Sequence, residues 1–479
     1  MYHISDIKKY LKCDRLYYFE KDSQSVYKPY MRMDENIIEL LSKYFHFSDV
    51  YVGERNDRTE RFLEAIDRYE YFIHARFEDH ELRINIPFMH KVEGGFDLCY
   101  IYYGTQMRDL DLVTYRICLR MLKKFGLNVK QIYVIYLNEN YVRYGDIDID
   151  ELFICTNRFH DKDIITYVRE DTFRYEHYVD EINSYELKAP RKTRHCKMFG
   201  ICDYYDECYP NEEELEADSI LTLVSSQNKN RMFNEGIKLL KDAKPELLEG
   251  NQLQYAQIMA SRNGGLYIEK YALALWLKNL KTKPISFIDF EWDRFLIPPY
   301  NGMKPMDVVC FEYALYYIDR YGRMRHTTFV GTGDCRRAFV ESMIKELPKR
   351  GPILAYNADG AECLRLKELA NIFPEYREEL ESIIKRFVDM AVPFIKGLIY
   401  DVRMEGNFTL KKLVDICSDY SYSDLDIYDG MEAVFNWREI GDGTSEKSKK
   451  IINNLKEYCS LDAYGLYLVY KWLLSKLES

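Results

Sequence analysis

Two carboxylates stand two residues apart in "FIDFEW", residues 287–292, inside an otherwise apolar and aromatic run. In a strand successive side chains face opposite ways, so Asp289 and Glu291 share one face and Ile288, Phe290 and Trp292 the other. Like charges side by side in an apolar setting repel and are costly to desolvate. Hard cations such as Mg²⁺ or Mn²⁺, which prefer oxygen ligands, would offset that cost. Two more acids come later in the chain. Glu362 comes after "AYNADGA" at the start of a helical pattern, and Asp462 lies in "YCSLD", one helical turn after Tyr458. Helical spacing puts Tyr458 and Asp462 on one face. Two cations held by Asp289, Glu291, Glu362 and Asp462 would activate a water and stabilise the leaving oxygen of a phosphodiester. Tyr458 would orient or deprotonate that water.

Four of the twelve cysteines form a second set. "HCKMFGICDYYDECYP" leaves five residues between Cys196 and Cys202 and five between Cys202 and Cys208. Cys13 lies far upstream, at the end of the first helical pattern. Paired zinc ligands are commonly separated by two to four residues, so this spacing is loose for zinc. Thiolates suit zinc or an iron–sulfur cluster, and a reduced, metal-free loop is the third reading. Cys99, Cys118, Cys155, Cys310 and Cys417 sit in apolar runs and read as small core residues. "KAPRKTRHCK", 188–197, is the densest basic stretch, either a nucleic-acid contact or a solvated loop.

The elements that must position these residues are set by periodicity. Residues 1–20 start with Ser5 as a helix cap before "DIKKYLKCDRLYYF". Strand patterns cover 82–105, with Gly94-Gly95 as the turn, and 131–137; a helical pattern covers 109–124. The charged "NEEELEADS", 211–219, reads as a boundary, and 219–283 carries helical patterns without a strong strand. Strands at 285–292, 308–319, 326–333 and 353–356 alternate with helices at 336–347 and from about 361, which argues for an α/β domain; the last segment is helical.

At 479 residues the chain is too long for one core, so two or three domains are expected. A hydrophobic share of 47% and 43 tyrosines exclude a disordered chain. A net charge of −11 argues against coating nucleic acid through bulk charge, though not against a local basic groove. No apolar run is long enough to cross a bilayer, and "MYHISDIKKYLKC" lacks a signal peptide's apolar core, so a cytoplasmic location is expected.

The ordered set D-x-E, an Asn-containing loop plus an acid, and Y-x-x-x-D resembles the DEDDy branch of the DnaQ-like 3′–5′ exonucleases. "PISFIDFEW", "CFEYALYYID", "ILAYNADGAECLRLKELANIFPEY", "RFVDMAVPF" and "YCSLDAYGLYLVYKWL" are similar to one bacterial family that joins a DnaQ-like domain to an N-terminal RecB-like nuclease domain. The resemblance implies an α/β chain with a RecB-like (PD-(D/E)XK-type) domain at 1–215, a helical connector at 216–283 and an RNase H-like (DnaQ-type) domain at 284–479. It implies a 3′–5′ exonuclease acting on nucleic acid, single-stranded DNA ends before RNA, through two Mg²⁺ or Mn²⁺ ions. Glu362 fits the second motif because Leu366 falls one turn on; Asp359 is its alternative, and Asp389 an auxiliary position. Trp292 stands where the family has a small hydroxyl residue, near the expected substrate end, where it would block the site or stack on a terminal base. The one-plus-three cysteines resemble the iron–sulfur staple of RecB-like nucleases, including the CRISPR-adaptation type. That implies a structural [4Fe–4S] cluster on Cys13, Cys196, Cys202 and Cys208. The RecB-like centre departs from its pattern: Tyr100-Ile101-Tyr102 stand where E-x-K belongs, and Asp97 is the remnant acid. A degenerate first centre is therefore expected, with a CRISPR or phage-defence setting conceivable by resemblance. The competing class is a catalytically silent nucleic-acid-binding subunit of such a defence or repair assembly.

Overall fold

The computed structural model describes residues 1–21, 33, 36–106, 112–162, 164, 174–197, 202–209, 216–420, 426–427 and 429–478. The side chains of Arg194 and Lys197 lie outside the description, as does the first part of the expected boundary at 211–219. The chain forms two compact units: residues 1–210 with 295–307, and residues 211–294 with 308–479. The stretch expected to be a connector, 216–283, thus folds with the C-terminal half, and 295–307 folds with the first unit.

The first unit is built on a mixed sheet. β1 (Tyr2–His3), β2 (Val50–Val52), β3 (Tyr71–Asp79), β4 (Leu82–Val92), β5 (Gly95–Ile101), β6 (Val129–Leu137) and β7 (Phe153–Asn157) run in the order β2-β3-β4-β5-β6-β7, with β1 beside β4. The β4–β5 turn pairs Val92 with Gly95, and Gly94 takes φ +76°, a left-handed conformation that suits glycine. The strand residues divide between two cores, with the alternation interrupted at His74, which takes φ 55°. Phe72, Phe77, Ile84, Leu98 and Tyr100 pack with Ile117, Met121 and Leu122 of the helix Leu112–Lys124. Ile73, Phe88, Cys99 and Ile135 pack on the other face with Leu41, Leu152, Leu296 and Ile297.

The first helical pattern differs from expectation. It is two helices, Ile4–Lys12 and Asp14–Glu20, broken by an extended Cys13 (φ −164°, ψ 118°). Ser5 is not the cap. It lies inside the first turn, and the His3 N–H instead donates to the Asp6 carboxylate at 2.8 Å.

The second unit holds a five-stranded sheet of β9 (Ile285–Arg294), β10 (Val308–Ile318), β11 (Met324–Val330), β12 (Ile353–Ala355) and β13 (Phe387–Asp389), after the short β8 (Leu266–Ile268). The order is β11-β10-β9-β12-β13; β9–β10 and β10–β11 are antiparallel, β9–β12 and β12–β13 parallel. One face buries Ile288, Phe290, Tyr313 and Leu315 against Phe339 and Met343 of the helix Arg336–Glu346 and Leu366 and Leu369 of the helix Glu362–Ile372. The C-terminal helix, Glu446–Glu478, covers the opposite face. Cys459 and Ala463 pack on Ala314, and Tyr467 and Tyr470 pack on Phe287. β8 pairs with β14 (Ile399–Asp401) in a separate two-stranded sheet. Both units are therefore mixed α/β, and no described helix is long and apolar enough to cross a membrane.

Candidate functional site

The layered second unit carries the acids of "FIDFEW" to one place. Asp289 and Glu291 project from β9 toward the C-terminal helix, while Ile288 and Phe290 enter the opposite core. Asp462 reaches them from that helix, and ligand oxygens of Asp289, Glu291 and Asp462 lie within 4.8 Å of one another. At that spacing two carboxylate charges repel by about 3 kcal/mol at an effective dielectric constant of about 20. Three such pairs approach the whole stability of an ordinary domain, roughly 5–15 kcal/mol. Either a cation compensates the trio or part of it is protonated.

The local electrostatics show the same conflict. Burial, then Asp462, Glu291 and Glu362, hold the Asp289 carboxyl well above its usual range; the Cys459 thiol, 3.4 Å from Asp289 Oδ2, relieves this only in part. Glu291 is raised by burial, Asp462 and Glu312, and relieved by Lys411. Glu362 is 2% exposed and lies outside the close trio, yet its field acts on both Asp289 and Glu291. Burial pushes its pKa up to about 8, with Asp389 adding to the rise and its own backbone N–H opposing it. Glu362 Oε2 is buried without a hydrogen-bond partner.

The loop before Glu362 explains which second-motif acid faces the cluster. Asn357 takes a left-handed φ of 56°, which asparagine tolerates, and its N–H donates to Asp389 Oδ1 at 2.8 Å. The same oxygen accepts from Ala391 N at 2.9 Å. Asp389 thus ties the loop to the end of β13. Asp359 is exposed on that loop, whereas Glu362 begins the buried helix. Tyr458 is 3% exposed and its hydroxyl is hydrogen-bonded to Asp462; burial and the charges of Asp462, Glu291 and Asp289 hold it strongly in the phenol form. The Lys411 ammonium lies 5.1 Å from the centre of its ring.

Beyond Glu291, the buried Asp293 takes two hydrogen bonds from Arg438, at 2.9 and 2.7 Å. That pair anchors the helix Gly430–Arg438, whose first residue approaches Glu291: a Cβ on Gly430 would stand 3.4 Å from Glu291 Oε2. Trp292 lies where strand parity puts it. Strand alternation turns it to the face opposite the acids, where it packs at the edge of the core with the Arg365 guanidinium 5.4 Å from its ring centre.

Three residues of the site escaped the sequence reading, Glu312, Lys411 and Cys459. Glu312 carried the same signal as Asp289, an acid inside an apolar strand run. Cys459 had none, because a cysteine on a helix reads as packing.

In the first unit the four cysteines converge. Cys13, Cys196, Cys202 and Cys208 line one cavity of about 210 Å³, with Arg15 and Phe19. The helix break at Cys13 and the short helix Tyr205–Cys208 bring its two ends together. Cys202 feels the fields of Cys196, Cys208 and Cys13, and Arg15 Nε donates to Cys208 Sγ at 3.1 Å. Tetrahedral zinc, with Zn–S near 2.3 Å, sets sulfurs about 3.8 Å apart. Among the described residues no three thiols lie within 4.8 Å of one another. Four thiols, a cavity and a neighbouring guanidinium can accommodate either zinc or an iron–sulfur cluster.

The basic stretch beside it is only partly free. Lys192 is buried; its ammonium donates to the Tyr205 hydroxyl and lies 3.7 Å from the centre of the Tyr209 ring. Asp97 and Tyr100 fall on opposite faces of β5. Asp97 lies across from His90 and Gln131, while Tyr100 is packed against Tyr115. Among the described residues no carboxylate trio forms in this unit.

A family described as a domain of unknown function (DUF2779) matches residues 286–409. That span contains Asp289, Glu291, Glu312 and Glu362 and ends before Tyr458 and Asp462. No curated protein and no solved structure matches the chain.

Proposed function

We propose that the second unit is a metal-dependent 3′–5′ exonuclease of the DEDDy type on an RNase H-like sheet, acting on single-stranded nucleic-acid ends, DNA before RNA. The observation that carries this reading is the meeting of Asp289, Glu291 and Asp462 within 4.8 Å, with Glu362 buried beside them and Tyr458 hydrogen-bonded to Asp462. The strand order β11-β10-β9-β12-β13 supports the fold assignment. Asp289, Glu291, Glu362 and Asp462 would hold two Mg²⁺ or Mn²⁺ ions, which supply water activation and neutralise charge at the leaving oxygen. Tyr458, held as a phenol, orients the attacking water by hydrogen bonding rather than taking its proton. Cys459 and Lys411 set the field on Asp289 and Glu291. Asp389 holds the loop that presents Glu362.

We assign to the first unit a [4Fe–4S] cluster on Cys13, Cys196, Cys202 and Cys208, with a structural role, in a RecB-like domain that no longer hydrolyses nucleic acid. Aerobic purification should then give a brown protein containing iron and acid-labile sulfide; zinc alone would overturn the cluster.

The exonuclease is tested with 3′- and 5′-labelled single-stranded DNA and RNA in Mn²⁺, beside an Asp289→Ala/Glu291→Ala control. Stepwise shortening from the 3′ end, lost in the control, is expected. Tight binding with no cleavage of any substrate would replace this reading with a silent binding subunit.

A further inference from the structure

The register between β9 and β10 contains a bulge. Cys310 pairs with Trp292 and Glu312 with Glu291, leaving Phe311 as the extra residue. A bulge switches which face the next side chains take. Before it, Val308 and Cys310 enter the core shared with Phe290; after it, Tyr313 and Leu315 do. Glu312, Ala314 and Tyr316 are thereby turned to the face covered by the C-terminal helix. Phe311, displaced by the bulge, stacks on Trp437 with ring centres 4.6 Å apart, and its carbonyl accepts from Gly331 N at 2.7 Å. Bulges recur beside active sites because they re-aim a side chain. This one aims a glutamate at the acid face.

Glu312 is 0% exposed, and both of its carboxyl oxygens are buried without a hydrogen-bond partner. Cross-strand partners on one face lie side by side, so Glu312 stands next to Glu291. It does not complete the close trio of Asp289, Glu291 and Asp462. The charged groups facing it include Lys456 and Asp462. A buried carboxyl with no partner is a large cost, so its persistence calls for a partner that arrives with a ligand. Mg²⁺ and Mn²⁺ sites with few protein ligands retain bound waters, and those waters need acceptors.

We propose that Glu312 is a positioning residue of the cation site: it accepts hydrogen bonds from the hydrating waters of the cation that Asp289, Glu291 and Asp462 hold. The inference rests on the cation-dependent reading of this unit and adds a fifth carboxylate to it. Glu312 acts through solvent on the ion, and so fixes ion position without being a direct ligand.

The test uses the full chain as wild type, Glu312→Gln, Glu312→Leu and the Asp289→Ala control. Mn²⁺ affinity is measured by calorimetry, and thermal unfolding is monitored in chelator. Outer-sphere partners typically control metal affinity by roughly 10- to 100-fold. The expected result is weakening toward the lower figure in Glu312→Gln, which keeps an acceptor, and toward the higher in Glu312→Leu. In chelator both variants should unfold at or above the wild-type temperature, because an uncompensated buried carboxyl has been removed. Affinities within twofold of wild type in both variants would overturn the proposal, while Asp289-dependent binding in the wild type would leave the site itself standing. Weaker binding with a lowered unfolding temperature in chelator would also overturn it, as the mark of ordinary core damage. Absence of Asp289-dependent binding in the wild type would remove the site and this proposal together.

Discussion

Each unit carries an aspartate on a central strand, Asp97 on β5 and Asp289 on β9, and their surroundings differ in kind. Asp97 has His90 and Gln131 as cross-strand partners and belongs to no close carboxylate trio among the described residues. Asp289 has Glu291 two residues on, Asp462 within reach, and Glu362 near enough to raise its pKa. Burial penalises one acid modestly and leaves it alone; five acids packed together are tolerable only with a counter-charge or with bound protons. The first unit instead collects thiols, at its two chain ends rather than at the middle of its sheet. This contrast underlies the proposal of a structural centre in one unit and a hydrolytic one in the other.

Neutralising the two aspartates separately breaks the comparison most sharply. Asp289→Asn should abolish metal-dependent hydrolysis, while Asp97→Asn should leave its rate unchanged. Loss in both variants would mean that the first sheet contributes to chemistry after all. The next effect is on the thiol centre. Cys202→Ala should lose its iron and make the segment 188–209 susceptible to protease, with Mn²⁺ binding in the second unit retained; unaltered iron content would exclude Cys202 as a ligand. Tyr458→Phe keeps the ring but removes the hydroxyl that bonds Asp462. A fall of about 10²-fold in kcat with little change in KM is expected for a water-orienting role. Full activity would assign Tyr458 to packing.

The smallest effect is on stability against pH. Glu362 titrates at about 8 in the folded, metal-free chain, against about 4.3 when unfolded. The folded state therefore keeps a proton that the unfolded chain releases. The resulting stabilisation is fully present below about pH 4 and is lost as pH rises through about 8. In chelator the unfolding temperature should fall between pH 6 and 8.5, and the rise caused by saturating Mn²⁺ should grow over the same interval. A shallower slope in Glu362→Gln than in the wild type would locate this share of the effect; equal slopes would refute the attribution.

How much of this was legible in the sequence depends on the range of the interaction that decides each feature. Asp289 and Glu291 could be read as neighbours because strand alternation is local, and Tyr458 with Asp462 because helix periodicity is local. Most strand and helix positions in the second unit were readable in the same way. The helix break at Cys13 was not legible, since "DIKKYLKCDRLYYF" contains neither proline nor glycine and the break brings Cys13 to a cavity shared with residues almost two hundred positions away. The orientation of Glu312 was equally hidden. Simple alternation along β10 would have put it in the apolar core, and only the bulge at Phe311 reverses that. The face taken by Trp292 was readable from the same parity. The excursion 295–307, which folds with the first unit, has no local signal at all, being defined by packing of Leu296 and Ile297 into a distant core.

The central claim is that the acid cluster exists to hold cations. Crystals of the wild-type chain soaked in Mn²⁺ with a short single-stranded oligonucleotide would test it most directly through anomalous scattering. Two manganese peaks are expected among Asp289, Glu291, Glu362 and Asp462, both absent from Asp289→Asn. Full Mn²⁺ exposure with no peak at these carboxylates would contradict it.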